Sequence, residues 1–313
     1  MSFDIHHNFR LISIHEQEKI RSYTRRFKPY SDFNFTSLLS WDTNETVEFA
    51  LYKDCLIIKL PDYITQITNY SVLGGENASE VIDELFSLLE GSDAKFEFGF
   101  VPDSVIGYLD PARLTFSEDI DQNDYIYNTS EQALLEGRQF SWQRRRLSQF
   151  ERALEGRDVE VRPLTNNELR QLFLDHWPAW QKASDRIPDS RYQFEKIAIR
   201  RYAYFHKDLK NQIVLGLFLD GKIEGVTMFE PSGPEDDYLT CHFMKVNYTY
   251  PGIFNRLFYT MAQYGYQFGY KYINFEQDLG IDGLRLYKNS LKPSDKLLKY
   301  RLRPKAQSDQ LKP

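Results

Sequence analysis

The run Tyr272-Ile273-Asn274-Phe275-Glu276-Gln277-Asp278-Leu279-Gly280-Ile281-Asp282-Gly283-Leu284-Arg285 gathers more reactive side chains than any other stretch of the 313-residue chain. With a strand period of two, Tyr272, Asn274 and Glu276 share one face and Ile273 and Phe275 the other; an Asp-x-Gly turn then opens a helix. The pattern sets Asn274, Glu276 and Asp278 at the C-terminal edge of a strand. On the helix, Arg285, Lys288 and Lys292 fall within about 60° of one another at ~100° per residue, a cationic stripe if the helix reaches Lys292 before Pro293. Carboxylates beside cations suit acyl transfer to or from a charged partner. Helix caps and a solvated face are the structural alternative.

A second cluster lies upstream, where Arg138, Trp142, Arg145 and Gln149 fall on one helical face, flanked by Arg144 and Arg146. Arginine suits bidentate phosphate contacts and Trp142 offers a ring for stacking, although a solvated surface helix has the same composition. His242, in the strand Leu239 to Val246, has the ordinary pKa of a general base, or is a structural strand histidine. His6, His7, His15, His176 and His206 show no metal-ligand spacing, and Cys55 and Cys241 form no CxxC pattern, so neither a metal nor a disulfide is expected. G-x-S-x-G, Walker A and G-x-G-x-x-G motifs are absent. Gly74-Gly75 before a helix reads as a tight turn or as an anion seat.

The elements that position these residues follow from pattern. Hydrophobic residues at 42% and charged residues at 27% describe a globular chain, and its length fits two domains. No apolar run approaches the ~18 residues of a membrane span, and Met1-Ser2-Phe3-Asp4 opens no signal peptide, which places the chain in the cytoplasm. The net charge of -6 argues against a protein that coats nucleic acid. Residues 72–124 carry 13 acids and 2 bases, whereas 285–305 carry 8 bases and one acid, so the C-terminal end is expected to attract an anion.

A helix from Ile12 to Arg26 precedes a hairpin of Val47–Tyr52 and Cys55–Leu60, a helix from Ala78 to Leu89 and a strand from Phe96 to Val101. The second half has a strand from Val159 to Pro163 and helices over Asn166–Lys182 and Gln193–Asp208. A hairpin of Ile213–Leu219 and Ile223–Phe229 and a strand from Tyr238 to Val246 follow, then a helix from Gly252 to Phe268, a strand from Tyr270 to Glu276 and a helix from Asp282 to Asn289. The order repeats. Two similar α+β units in tandem result, 1–156 and 157–313, with Ser130 to Leu154 as one long connecting helix.

Asn274 to Arg285, followed by Lys288, Ser290, Lys292 and Pro293, resembles the C-terminal signature of an uncharacterised family grouped with the C-terminal domain of phosphatidylglycerol lysyltransferases. Phe33 to Trp41, with its Phe-Thr-Ser-Leu-x-x-Trp pattern, resembles the N-terminal signature. Gly137-Arg138-Gln139-Phe140 through Arg145 to Phe150 resembles the central one, and His242 to Asn255 fits a fourth. The resemblance implies two tandem GNAT-like domains, each a mixed, mainly antiparallel sheet flanked by helices. Relatives with known activity, the Fem peptidoglycan aminoacyltransferases among them, move an aminoacyl group from a charged tRNA to an amine or hydroxyl.

Under that reading Asn274 and Glu276 orient or deprotonate the acceptor, and Asp278 holds the aminoacyl group or the helix start. Arg285, Lys288, Lys292, Tyr250, Asn255 and His242 bind substrate, and Arg138, Arg144 and Arg145 contact tRNA phosphates. No stretch matches a lysyltransferase's membrane portion, which leaves open whether the acceptor is a small molecule or a lipid headgroup. A GNAT that uses acyl-CoA cradles pyrophosphate in a glycine-rich turn, but Asn247 to Asn255 has one glycine and a proline, so acyl-CoA ranks below aminoacyl-tRNA as donor and no cofactor is expected. A non-catalytic binder of a small anion is the reading from a different class.

Overall fold

The computed structural model describes residues 8–89, 96–183 and 193–305; His6 and His7 lie outside them. Its first sheet is built from β1 (Arg10–Leu11), β2 (Glu48–Tyr52), β3 (Cys55–Pro61), β4 (Thr68–Leu73), β5 (Phe96–Pro102), β6 (Leu114–Glu118) and β14 (Lys299–Pro304), in the order β1-β2-β3-β4-β5-β14-β6. The second is built from β7 (Asp124–Asn128), β8 (Val159–Pro163), β9 (Ile213–Leu219), β10 (Lys222–Ser232), β11 (Tyr238–Val246), β12 (Tyr272–Asn274) and β13 (Asp295–Leu297), in the order β13-β7-β12-β11-β10-β9-β8. One neighbouring pair in each sheet is parallel, β4 with β5 and β11 with β12; the other pairs are antiparallel. Both hairpins close through two residues of positive φ, 48° and 53° at Lys53-Asp54 and 48° and 76° at Asp220-Gly221, which matches the twist of the flanking strands.

Between the sheets lies the largest core, to which helix α1 (Gln17–Thr24) contributes Ile20 and Tyr23 and helix α2 (Phe35–Trp41) contributes Phe35, Leu38 and Leu39. Helix α3 (Ala78–Leu89) covers the outer face of the first sheet through Val81, Ile82, Leu85 and Leu89, an apolar stripe at helical spacing.

Sheet membership does not divide at residue 156. β7 leaves the N-terminal half to join the second sheet, and β14 returns from the C-terminus to the first. The charge asymmetry is partly met within the fold. Lys299 pairs with Asp124, Arg301 with Asp119 and Glu97, and Arg285 with Asp121, so three of the eight bases of the 285–305 segment are held by the acidic 72–124 segment.

The connecting helix is also different. It breaks into α4 (Thr129–Leu134) and α5 (Ser141–Ala153), because Leu135 (φ 51°) and Gly137 (φ 83°) turn the chain through left-handed conformations. Arg144 donates to the carbonyls of Leu135 and Gly137, closing that turn. The remaining helices used below are α6 (Gln193–Phe205), α7 (Ile253–Gln267) and α8 (Asp282–Ser290). Among the described residues no helix is long and apolar enough to cross a membrane.

Candidate active site

β11 and β12 pair at Tyr238↔Tyr272, Leu239↔Ile273 and Thr240↔Asn274 and then separate. β11 runs on to Val246, while β12 stops at Asn274, shorter than the Tyr270–Glu276 strand expected, because Glu276 turns to φ 54°. The Asn274 side chain fixes this turn: its Oδ1 accepts from the Glu276 N–H at 2.7 Å while its Nδ2 donates to the Pro29 carbonyl at 2.7 Å. The expected faces hold. Asn274 looks to the inter-sheet side, and Ile273 and Phe275 pack behind the second sheet.

Glu276 leads into a chain of charges between the sheets. His242 Nδ1 lies 3.1 Å from Glu276 Oε1, and its Nε2 lies 3.3 Å from Glu230 Oε1. Glu230 also receives Arg21 at 2.5 Å, Asn34 at 2.7 Å and Gln212 at 2.6 Å. Ser37 Oγ sits 3.2 Å from both His242 Nδ1 and Glu276 Oε1. Burial alone would discharge His242, but the two carboxylates outweigh it and raise its pKa to about 9. Burial would likewise protonate Glu230; His242 and Arg21 instead hold its pKa at about 2. Ser37, His242 and Glu230 therefore have the outline of a nucleophilic triad without its chemistry, since an imidazolium cannot accept the serine proton. Of this chain, Glu276 reaches furthest toward solvent, its side chain 14% exposed against 1% for His242 and Glu230.

These shifts predict a pH dependence of folding. A histidine pKa raised in the folded state stabilises fully below the unfolded value near 6.5 and loses that contribution as pH climbs toward 9. From pH 6.5 to 8, above the Asp32 pKa of about 6, the His242 contribution falls by about 1.5 kcal/mol, partly offset toward pH 8 as Lys288, whose pKa burial lowers to about 8, begins to lose its proton. Urea denaturation across that range reads it out. His242→Gln should flatten the slope, and an unchanged slope would place the titration elsewhere.

The three carboxyl and amide groups singled out from sequence have distinct parts: Asn274 holds the Glu276 backbone, Glu276 faces His242 and Ser37, and Asp278 binds a separate set of partners. Asn274 and Asp278 are fully buried. Asp278 Oδ1 accepts from the Gly280 N–H at 2.9 Å, the expected Asp-x-Gly turn, and the carboxylate also takes Tyr125 Oη at 2.6 Å and Arg285 at 2.8 and 2.7 Å. The cationic stripe does not form. α8 ends at Ser290, Lys292 lies beyond it at φ 62°, and Lys288 is buried. Its ammonium donates to the carbonyls of Phe275, Glu276 (3.0 Å) and Gln277 (2.8 Å), tethering the strand exit; burial lowers its pKa to about 8 against the pull of Glu276, Asp124 and Asp278.

Tyr250 and Asn255 line a separate cavity of about 490 Å³ between α5, the β11–α7 loop and α8. Its wall residue Phe254 contacts Phe275, whose ring lies 4.9 Å from the Lys288 ammonium. Arg138 and Arg145 are exposed on or beside α5, while Arg144 is engaged by the turn before it. Sequence reading passed over Ser37, Glu230, Arg21 and Lys299. Glu230 had a signal, a lone acid ending the apolar run Val226-Thr227-Met228-Phe229, and Ser37 stands inside the Phe-Thr-Ser-Leu pattern already noted. Among the described residues no group of three potential metal ligands occurs.

A family model described as "Phosphatidylglycerol lysyltransferase, C-terminal" matches residues 24–303. The chain belongs to this family. No curated protein sequence matches the chain. Among solved structures, a conserved protein of unknown function from Bacteroides thetaiotaomicron is 25% identical, with 95% of this chain and 99% of that one covered and a TM-score of 0.82. The L-PGS of Bacillus licheniformis is 17% identical over 96% of this chain and 95% of its own, with a TM-score of 0.64. FemX is 11% identical over 94% and 96%, with a TM-score of 0.56. This phosphatidylglycerol lysyltransferase C-terminal family member thus has the tandem α+β, GNAT-like architecture that its motifs implied, and the similarity runs through both sheets.

Proposed function

We propose that this protein is an aminoacyltransferase that takes an aminoacyl group from a charged tRNA and delivers it to an amine or hydroxyl by direct attack on the ester. The observation that carries the reading is the parting of β11 and β12, with Glu276 held at its lip by Asn274, Lys288 and His242. Beyond Thr240 the β11 edge toward β12 has no strand partner among the described residues, which leaves backbone N–H groups for a developing oxyanion.

In the proposed step the acceptor nitrogen or oxygen adds to the ester carbonyl and gives its proton to the Glu276 carboxylate. The tetrahedral intermediate then expels the ribose oxygen, which takes that proton. No enzyme ester forms, in keeping with a protonated His242 beside Ser37. Positioning carries most of the rate, with Asn274 and Lys288 setting the place of Glu276.

The test is binding of aminoacylated and uncharged tRNA at two salt concentrations. Salt-dependent binding that favours the charged form supports the reading; no binding at low salt removes it. Arg145→Ala should reduce the salt slope by about one, as expected for a phosphate contact. Arg285→Ala should leave that slope unchanged, because its guanidinium is held by Asp278 and Asp121.

A further inference from the structure

Glu276 is not a glycine, yet its φ is 54°, a conformation that its own side chain disfavours and its neighbours must hold. Asn274 holds it from one side through the Glu276 N–H, and Gln277 follows on the other. Both flanking side chains lead back to a single hydroxyl of the first half of the chain, that of Ser31. Ser31 is 1% exposed, in the short turn Ser31–Phe33 between α1 and α2. Its Oγ lies 2.9 Å from Gln277 Oε1 and 2.6 Å from Asp124 Oδ1, and it accepts from the Lys299 ammonium at 3.0 Å. Asp124 Oδ2 takes the Ser31 N–H at 2.8 Å and Asn274 Nδ2 at 3.3 Å.

The surroundings make this arrangement stiff. Asp124, Lys299 and Asn274 are fully buried and Gln277 nearly so, which leaves water little room to replace a lost partner. The chain on either side of Ser31 reinforces the same place: the Pro29 carbonyl receives Asn274 Nδ2 at 2.7 Å, and Ser37 Oγ reaches the Glu276 carboxylate at 3.2 Å. Ser31 holds the residues on both sides of Glu276 rather than Glu276 itself, Gln277 directly and Asn274 through Asp124.

We propose that Ser31 is a positioning residue for the transfer step: its hydroxyl ties the Gln277 and Asp124–Asn274 sides of the strand exit together and so aims the Glu276 carboxylate at the acceptor. The consequence for transfer rests on the function proposed above, whereas the placement of Glu276 does not. A proton acceptor carried by the second sheet's strand exit is thereby set in place from a turn in the first half of the chain, and the two halves must be correctly docked before the carboxylate points into the cleft.

Two variants of the full chain test the role. Ser31→Ala removes the hydroxyl and keeps the N–H bond to Asp124; Gln277→Met removes the amide and keeps the side-chain length. With 15N-labelled histidine, the titration of His242 reports the place of Glu276, because Nδ1 lies 3.1 Å from that carboxylate; Glu230 at Nε2 and Ser37 are the other polar neighbours of the ring. From the wild-type value of about 9, His242 should titrate about one pH unit lower in both variants. Single-turnover transfer from charged tRNA should fall about ten-fold or more, with tRNA binding unchanged. Adding Ser31→Ala to Glu276→Gln should cost nothing further, since the hydroxyl acts through the carboxylate. An unmoved His242 titration in both folded variants, undiminished turnover, or an additive loss in the double variant would overturn the proposal. A lowered His242 titration in a chain that transfers to no acceptor would sustain the placement of Glu276 by Ser31 and remove the proposed function. Transfer by the wild-type chain with the titration unmoved would remove this role and leave the function standing.

Discussion

Glu276→Gln is expected to lower aminoacyl transfer about 10²–10⁴-fold, the range associated with loss of a positioned proton acceptor, while charged tRNA still binds. Glutamine keeps the shape of the side chain and an oxygen facing His242 and Ser37, so the strand exit keeps its turn. What it loses is the capacity to take a proton from the attacking acceptor. Single-turnover transfer from charged tRNA, measured beside tRNA binding, separates the two effects. Equal losses of binding and turnover would make Glu276 a binding group. The Asn274 and Lys288 contacts predict a further pattern: removal of either should lower turnover through misplacement of Glu276, with smaller losses than Glu276→Gln itself.

Lys299→Met is expected to destabilise the fold by about 3–5 kcal/mol. Lys299 is fully buried between Asp32 and Asp124, close to Ser31 at 3.0 Å, and Tyr63 and Gln277 complete the Asp32 shell. Two carboxylates share one ammonium there. Burial raises the Asp32 pKa to about 6 despite Lys299, so removing the cation forces a carboxylate to neutralise or leaves it unpaired. Combining Lys299→Met with Asp124→Asn should cost less than the sum of the single changes, because each removes part of the same charge cluster. Urea denaturation of the four proteins measures the coupling. Additive losses would show that the triad does not act as one unit.

The sequence was most legible where local pattern and tertiary packing agree. The β3, β9 and β11 strands, α3 and both hairpin turns follow from apolar runs, helical spacing and turn residues, and the Asp278-Leu279-Gly280 turn formed as its residue types required. It was least legible where long-range charge decided the outcome. Arg285, Lys299 and Arg301 read as a basic tail awaiting an anion; their partners, Asp119, Asp121, Asp124 and Glu97, stand some 160 or more positions away, and no local periodicity reveals that match. Leu135 misled for a different reason, since a leucine in a left-handed conformation contradicts its own preference and depends on Arg144 and Gly137 around it. At the site, the face shared by Asn274 and Glu276 was readable from strand alternation. The His242 link to Glu230 was not, because it joins side chains of two neighbouring strands and one helix-capped loop whose register the sequence does not state.

The most direct measurement follows a labelled amino acid from bulk charged tRNA into phosphatidylglycerol vesicles or a lysine-containing peptide, with the wild-type chain and Glu276→Gln side by side. Label should appear in an acceptor with the wild-type chain and fall at least a hundred-fold with the variant. Equal transfer by both proteins, or none by the wild-type chain to either acceptor with no binding of charged tRNA, would contradict this.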